Sequence, residues 1–112
     1  MDKDMYLNGL GRRIKAYREA MGLSQEELAS KIGYTGDYQR SAMSKVEHGK
    51  VDLPNSKIIT LANVFGVPVS ALLDEDPGED FDIWTEYRKL SPDHQDMVKT
   101  MIRAFRQQEG YS

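Results

Sequence analysis

The chain has 112 residues, 39% of them hydrophobic, no cysteine, and a formal net charge of −3. That length suits one small domain with an appended segment, and the absence of cysteine excludes disulfides and thiolate metal sites, which makes a reducing, cytoplasmic setting the natural expectation. The N-terminus carries charge with no apolar core behind it, and no apolar run approaches the ~18 residues of a membrane span, so neither a leader nor an anchor is expected.

A net negative charge argues against nucleic acid as a partner, but its distribution matters more than its total. Residues 1–73 hold 10 Lys/Arg against 8 Asp/Glu, and residues 74–112 hold 5 against 10. The basic side chains are therefore concentrated in the first part of the chain.

Leu7, Leu10, Ile14, Tyr17 and Met21 recur at spacings of three and four and predict a first helix over about residues 6–21, stopped by Gly22. Gly9 and Gly11 weaken its first turns, while Arg12, Arg13 and Lys15 sit off the apolar stripe and read as a solvated face, with phosphate contact as the alternative. Ser24 followed by Glu27 is a capping box that starts a second helix, with Leu28, Ala29 and Ile32 on one face and Gly33 able to close it. In the next pattern Ala42, Met43 and Val46 face inward, Arg40, Ser41, Ser44 and Lys45 face outward, and His48-Gly49 is the stop. Two short helices joined by a polar, Gly-containing turn fit a helix-turn-helix. Pro54 suits the first turn of a fourth helix that buries Ile58, Leu61, Ala62 and Phe65 and ends at Gly66, and a fifth, very short helix spans 69–73 after Val67-Pro68. Helices of this size do not form alone, so the five must share one core.

From residue 74 the chain turns acidic around Pro77-Gly78 and reads as a linker over 74–80. The regular spacing of a calcium loop is missing there. Residues 81–112 read as a C-terminal helical extension. Phe81, Trp84 and Tyr87 give it an aromatic stripe, and Ser91-Pro92 opens a long helix to about residue 108. Met97, Val98, Met101, Ile102 and Phe105 form one face of that helix, and together with Trp84 they are the expected dimerisation surface. The competing expectation is that this face folds back on its own domain.

Leu23-Ser24-Gln25-Glu26-Glu27-Leu28-Ala29, Lys31-Ile32-Gly33, Met43-Ser44-Lys45-Val46-Glu47-His48-Gly49 and Gly66-Val67-Pro68-Val69-Ser70-Ala71-Leu72-Leu73 together resemble the Cro/phage-repressor-type (Xre) helix-turn-helix family. The resemblance covers roughly residues 10–73. It implies an all-α fold, a five-helix phage-repressor-like DNA-binding domain over 1–73 carrying the C-terminal extension. It also implies base-reading positions at Arg40, Ser41, Ser44 and Lys45, with Gln25 toward the DNA backbone, and an ion pair between Arg18 and Glu47; Tyr38 and Lys50 are further residues expected toward the backbone. One departure is plain: Met43 comes ten residues after Gly33, several more than in the family. The extra residues fall around Gly36-Asp37-Tyr38-Gln39. Either Asp37 caps a recognition helix lengthened by about a turn, the favoured reading because no breaker follows before Glu47, or the turn itself is longer. Tyr38 then meets DNA backbone or a thymine methyl, or else packs as a loop tyrosine.

An enzyme is not expected. His48 and His94 are the two histidines, neither beside a nucleophile or a ligand cluster, and no Gly-rich phosphate loop is present. Some family members carry a self-cleaving peptidase with a Ser-Lys pair; inactivation by self-cleavage is not expected for this chain. No metal or cofactor is called for. Two readings of different class remain. In one, the protein is a sequence-specific transcriptional regulator, a repressor binding a palindromic operator on double-stranded DNA as a homodimer. In the other, it is an antitoxin-like module that holds a protein partner through its C-terminal extension and autoregulates through its helix-turn-helix.

Overall fold

The computed structural model describes residues 2–73 and 78–110, and those residues form seven helices and no strand. They fall into two compact units, Met1–Pro77 and Gly78–Ser112. Most of the expected acidic linker lies outside the described residues.

The first unit holds five helices. Helix α1 (Lys3–Ala20) begins about a turn before the apolar periodicity, because the Asp2 side chain caps it by accepting from the Asp4 backbone N–H at 3.1 Å. Its stripe of Leu7, Leu10, Ile14 and Tyr17 is buried. Helix α2 (Gln25–Lys31) is opened by the full capping box: the Glu27 N–H donates to the Ser24 hydroxyl at 3.0 Å, and the Ser24 N–H donates to the Glu27 carboxylate at 2.9 Å. Leu28, Ala29 and Ile32 are buried, and Gly33, at φ +97°, lets the chain turn away after Ile32.

The third helix differs from the favoured expectation. Helix α3 runs Gln39–Glu47 with Tyr38 at its N-cap and no side-chain cap, so Asp37 does not open it and the helix is not lengthened. The extra residues lie in the turn. The turn is held at its start instead: the Gln39 amide donates to the Tyr34 carbonyl at 2.8 Å, and the Lys57 ammonium sits 4.8 Å from the centre of the Tyr34 ring while donating to the Ile32 carbonyl at 2.6 Å. Anchoring from α3 and from residue 57 takes the place of a cap by Asp37.

Helix α4 (Asn55–Phe65) and helix α5 (Val69–Leu73) close the unit. Leu53, Ile58, Leu61, Ala62, Phe65 and Leu72 complete the core, in which the rings of Tyr17 and Phe65 stack at 5.2 Å. Two readings of α1 are corrected here. Gly11 marks a close crossing as well as a weak turn, since a methyl group there would lie 2.6 Å from the Val46 carbonyl oxygen and 2.8 Å from the Glu47 carbonyl carbon. Arg13 is 9% exposed and belongs to no solvated face. Its guanidinium donates to the Leu72 and Leu73 carbonyls and so satisfies the end of α5. It passes over Gly9, where an added methyl would come 3.1 Å from Nη1.

The second unit holds helix α6 (Gly78–Arg88), which starts inside the stretch read as linker, and helix α7 (Pro92–Gln108). Ser91 caps α7 and accepts from the His94 N–H at 3.3 Å, with Pro92 in its first turn. The Gln95 amide reaches back to the Tyr87 and Leu90 carbonyls at 3.2 and 3.3 Å and fastens the connection between the two helices. In α6 the rings of Phe81 and Trp84 stack at 5.8 Å, and the Arg88 guanidinium lies 5.5 Å from the Trp84 ring centre. No residue of α7 is buried; Met97, Met101, Ile102 and Phe105 are more than half exposed, and Val98 is partly exposed.

Candidate nucleic-acid interface

A helix packed on one side presents the other, and the 3.6-residue period divides α3 accordingly. Met43, Val46 and Glu47 are buried, and Ala42 is half-buried. On the opposite face Arg40, Ser41 and Lys45 are exposed and Ser44 is half-buried. Of these, Arg40 offers the five-donor fork that matches a guanine edge, and the serine hydroxyls donate or accept. The Ser41 hydroxyl donates weakly to the Tyr38 carbonyl at 3.3 Å. Tyr38 itself is 64% exposed at the entry to the helix.

Beneath this face lies a charge network. Arg18, from the last turn of α1, donates through Nε to Glu47 Oε2 at 2.6 Å and through Nη2 to Glu47 Oε1 at 3.1 Å. Its Nη1 donates to the Leu23 carbonyl at 2.9 Å. The side chains are 12% and 1% exposed, so the pair is largely out of water. The hydrogen bonds to Glu47 hold the Arg18 guanidinium above its ordinary value, against burial, which works the other way. The Gln25 amide, at the first residue of α2, donates to the same Oε1 at 3.1 Å. One carboxylate thus ties together the end of α1, the start of α2 and the end of α3. It also fixes the orientation of the Gln25 amide, with the nitrogen toward Glu47.

The structure brings several expected site residues together. Gln25 and Arg40 line one open cleft with Arg18, Ser24 and Glu26, where the first turn of α2 faces the start of α3. Lys50 lines a second cleft with Lys3, Asp4, Leu7, Asn8, His48, Gly49 and Asp52. Its backbone N–H donates to the Lys45 carbonyl at 2.8 Å, and Gly49, at φ +69°, makes that turn and leaves Asn8 room to approach. Trp84, Met97, Val98, Met101, Ile102 and Phe105 lie in the second unit.

Sequence reasoning passed over three residues here. Arg13 stands three residues after Leu10 and four before Tyr17, on the buried stripe itself, and that spacing was the missed signal. Gln39 and Lys57 carried no local signal, because their contacts depend on the path of the turn.

Among the described residues no group of three or more His, Asp or Glu is placed to hold a metal ion, and no helix is long and apolar enough to cross a membrane.

A family model described as a helix-turn-helix domain matches residues 9–75. The HTH-type transcriptional regulator SinR of Bacillus subtilis is 33% identical over 87 residues, 75% of this chain and 75% of SinR. Uncharacterised HTH-type transcriptional regulators of Sinorhizobium medicae and Rhizobium meliloti are each 31% identical over 70 residues, 62% of this chain and 48% of theirs. The match to these two therefore spans about half of their length. Together with the five helices of the first unit, these matches place the chain in the Xre-type helix-turn-helix family of DNA-binding transcriptional regulators.

Proposed function

We propose that the protein is a repressor in the cytoplasm that binds a palindromic operator on double-stranded DNA as a homodimer, with residues 1–73 reading DNA and residues 81–112 joining the two copies. The observation that carries this reading is the division of α3 into a buried face and an outward face of Arg40, Ser41, Ser44 and Lys45. In the proposed complex α3 enters the major groove, and Arg40 takes a guanine by a bidentate bond while Ser41, Ser44 and Lys45 meet neighbouring base edges. Gln25 at the amino end of α2, Tyr38 and Lys50 hold phosphates on either side of the groove and fix the register. One such unit touches only a few base pairs. A two-fold dimer reading half-sites about one helical turn apart gains both affinity and specificity.

The apolar face of α7 supports the dimer, since Met97, Met101, Ile102 and Phe105 present adjoining apolar surface to water. The same exposure favours a second reading, in which another protein covers that face and the chain acts as an antitoxin-like module. Selection of bound sequences from a random duplex pool, with sedimentation of the free protein and of the complex, tests the proposal. An inverted repeat bound by two copies is the expected result. Sequence-independent binding, or a monomer on a single half-site, would overturn it.

A further inference from the structure

The outward stripe of α3 does not stop at Lys45. His48 stands four residues after Ser44, on the same side of the helix, and is exposed. Its Nδ1 lies 2.7 Å from the Ser44 carbonyl oxygen and 3.4 Å from the Ser44 hydroxyl. A carbonyl oxygen only accepts, so Nδ1 carries a proton and donates it, which fixes the state of the other ring nitrogen. In the neutral ring Nε2 presents a lone pair; in the imidazolium it presents an N–H and a positive charge. A phosphate oxygen, which also only accepts, is repelled by the first and bound by the second.

Charged groups of both signs surround the ring, which sits at the carboxyl end of α3. In the cleft beside it, α1 contributes Lys3 and Asp4 and the following loop contributes Lys50 and Asp52. Lys3 and Asp52 are paired with each other at 3.5 Å, Asp4 and Lys50 are of opposite sign, and Lys45 is the charged neighbour on its own helix. The lysines named outnumber the aspartates by one, so the anion that an imidazolium pairs with is the incoming phosphate. Lys50, already assigned to the DNA backbone, lines the same cleft, so a phosphate held there lies beside the imidazole.

We propose that His48 is a further phosphate contact, at the carboxyl edge of the recognition helix, and that it makes this contact as the imidazolium, so that DNA binding draws a proton onto the ring. The proposal rests on α3 being the recognition helix. By linkage, affinity for DNA then falls as the pH rises from 6 to 8, the range in which histidine changes charge while DNA phosphates stay ionised.

The test uses the full chain and a labelled duplex recovered by selection, titrated at pH 6 and pH 8 at fixed ionic strength. His48→Gln, His48→Lys and, as a control in α7, His94→Gln are compared with the parent, each with a thermal melt at both pH values. The parent and His94→Gln should bind on the order of tenfold more tightly at pH 6, the size of one charge-assisted hydrogen bond, with a salt slope steeper by about one. His48→Gln should bind weakly at both pH values, and His48→Lys tightly at both. A pH dependence unchanged in His48→Gln, or a parent that binds its duplex equally at both pH values, would overturn the proposal while leaving the recognition helix in place. A parent that prefers no sequence at either pH would overturn the recognition-helix reading, and this proposal with it.

Discussion

Arg18 grips both carboxylate oxygens of Glu47, at 2.6 and 3.1 Å, across 29 residues of sequence, and the carboxylate it holds is 1% exposed. Two charges that have left water are stable only as a pair, so removing one strands the other. Replacing Glu47 by Gln, or Arg18 by Ala, should cost about 3–5 kcal/mol of folding stability, against less than about 1 kcal/mol for an exposed pair. A thermal or urea melt measures the difference. An unchanged midpoint in both variants would mean that the pair is exposed in solution.

The proposed interface sets residues that specify, on α3, apart from residues that only position, at the start of α2 and in the loop after α3. Arg40→Ala should relax preference at one base pair by about 1–3 kcal/mol, whereas Gln25→Ala or Lys50→Ala should weaken every sequence alike, and Lys50→Ala alone, by removing a charge, should also flatten the salt dependence. Titrations against the selected duplex and against single-base variants separate the two effects. Equal loss on all sequences for Arg40→Ala would remove it from the base-reading set.

The capping box of α2 has its own pH signature. The hydrogen bond from the Ser24 backbone N–H, with the Ser24 hydroxyl next, holds the Glu27 carboxyl below its ordinary value. A group whose value is depressed in the folded state stabilises that state above its unfolded value, and the contribution disappears as the pH falls through the folded value. The stability difference between the parent and Glu27→Ala should therefore be constant near neutrality and shrink as the solution is acidified through the carboxylate range. Urea titrations at a series of pH values report this. A difference that stays constant down to strong acid would show that the cap works without the charge.

The C-terminal face offers a test independent of DNA. Placing a charge in its middle, as in Met101→Asp, should break the proposed dimer with little effect on the fold of the first unit, because Met101 belongs to the second unit and is 56% exposed. Sedimentation at increasing concentration, with a melt as control, is the measurement. A variant that stays dimeric would move the contact away from α7, and a parent that is monomeric throughout would leave the face to a different protein.

Much of the fold was legible in the residue order because the forces that write it are local. The capping box at Ser24 and Glu27, the Ser91-Pro92 start of α7, the glycine stops at Gly22, Gly33 and Gly66, and the apolar stripes of α1 and α4 all act over three or four residues. The outward placement of Arg40, Ser41 and Lys45 follows from the same short period, once Met43 and Val46 are set against the core.

Tertiary contacts decided the rest. Helix α3 opens at Gln39 because Gln39 bonds back to Tyr34, and Lys57, 25 residues from the Ile32 carbonyl it binds, pins the turn. No capping rule read at Asp37 registers a partner that far along the chain. Arg13 is buried because the Leu72 carbonyl, 59 residues away, would otherwise end α5 without a donor. A local pattern states which groups need a partner and which face is apolar; only the packed chain decides which distant group arrives, because that choice belongs to the meeting of two surfaces and to neither segment alone.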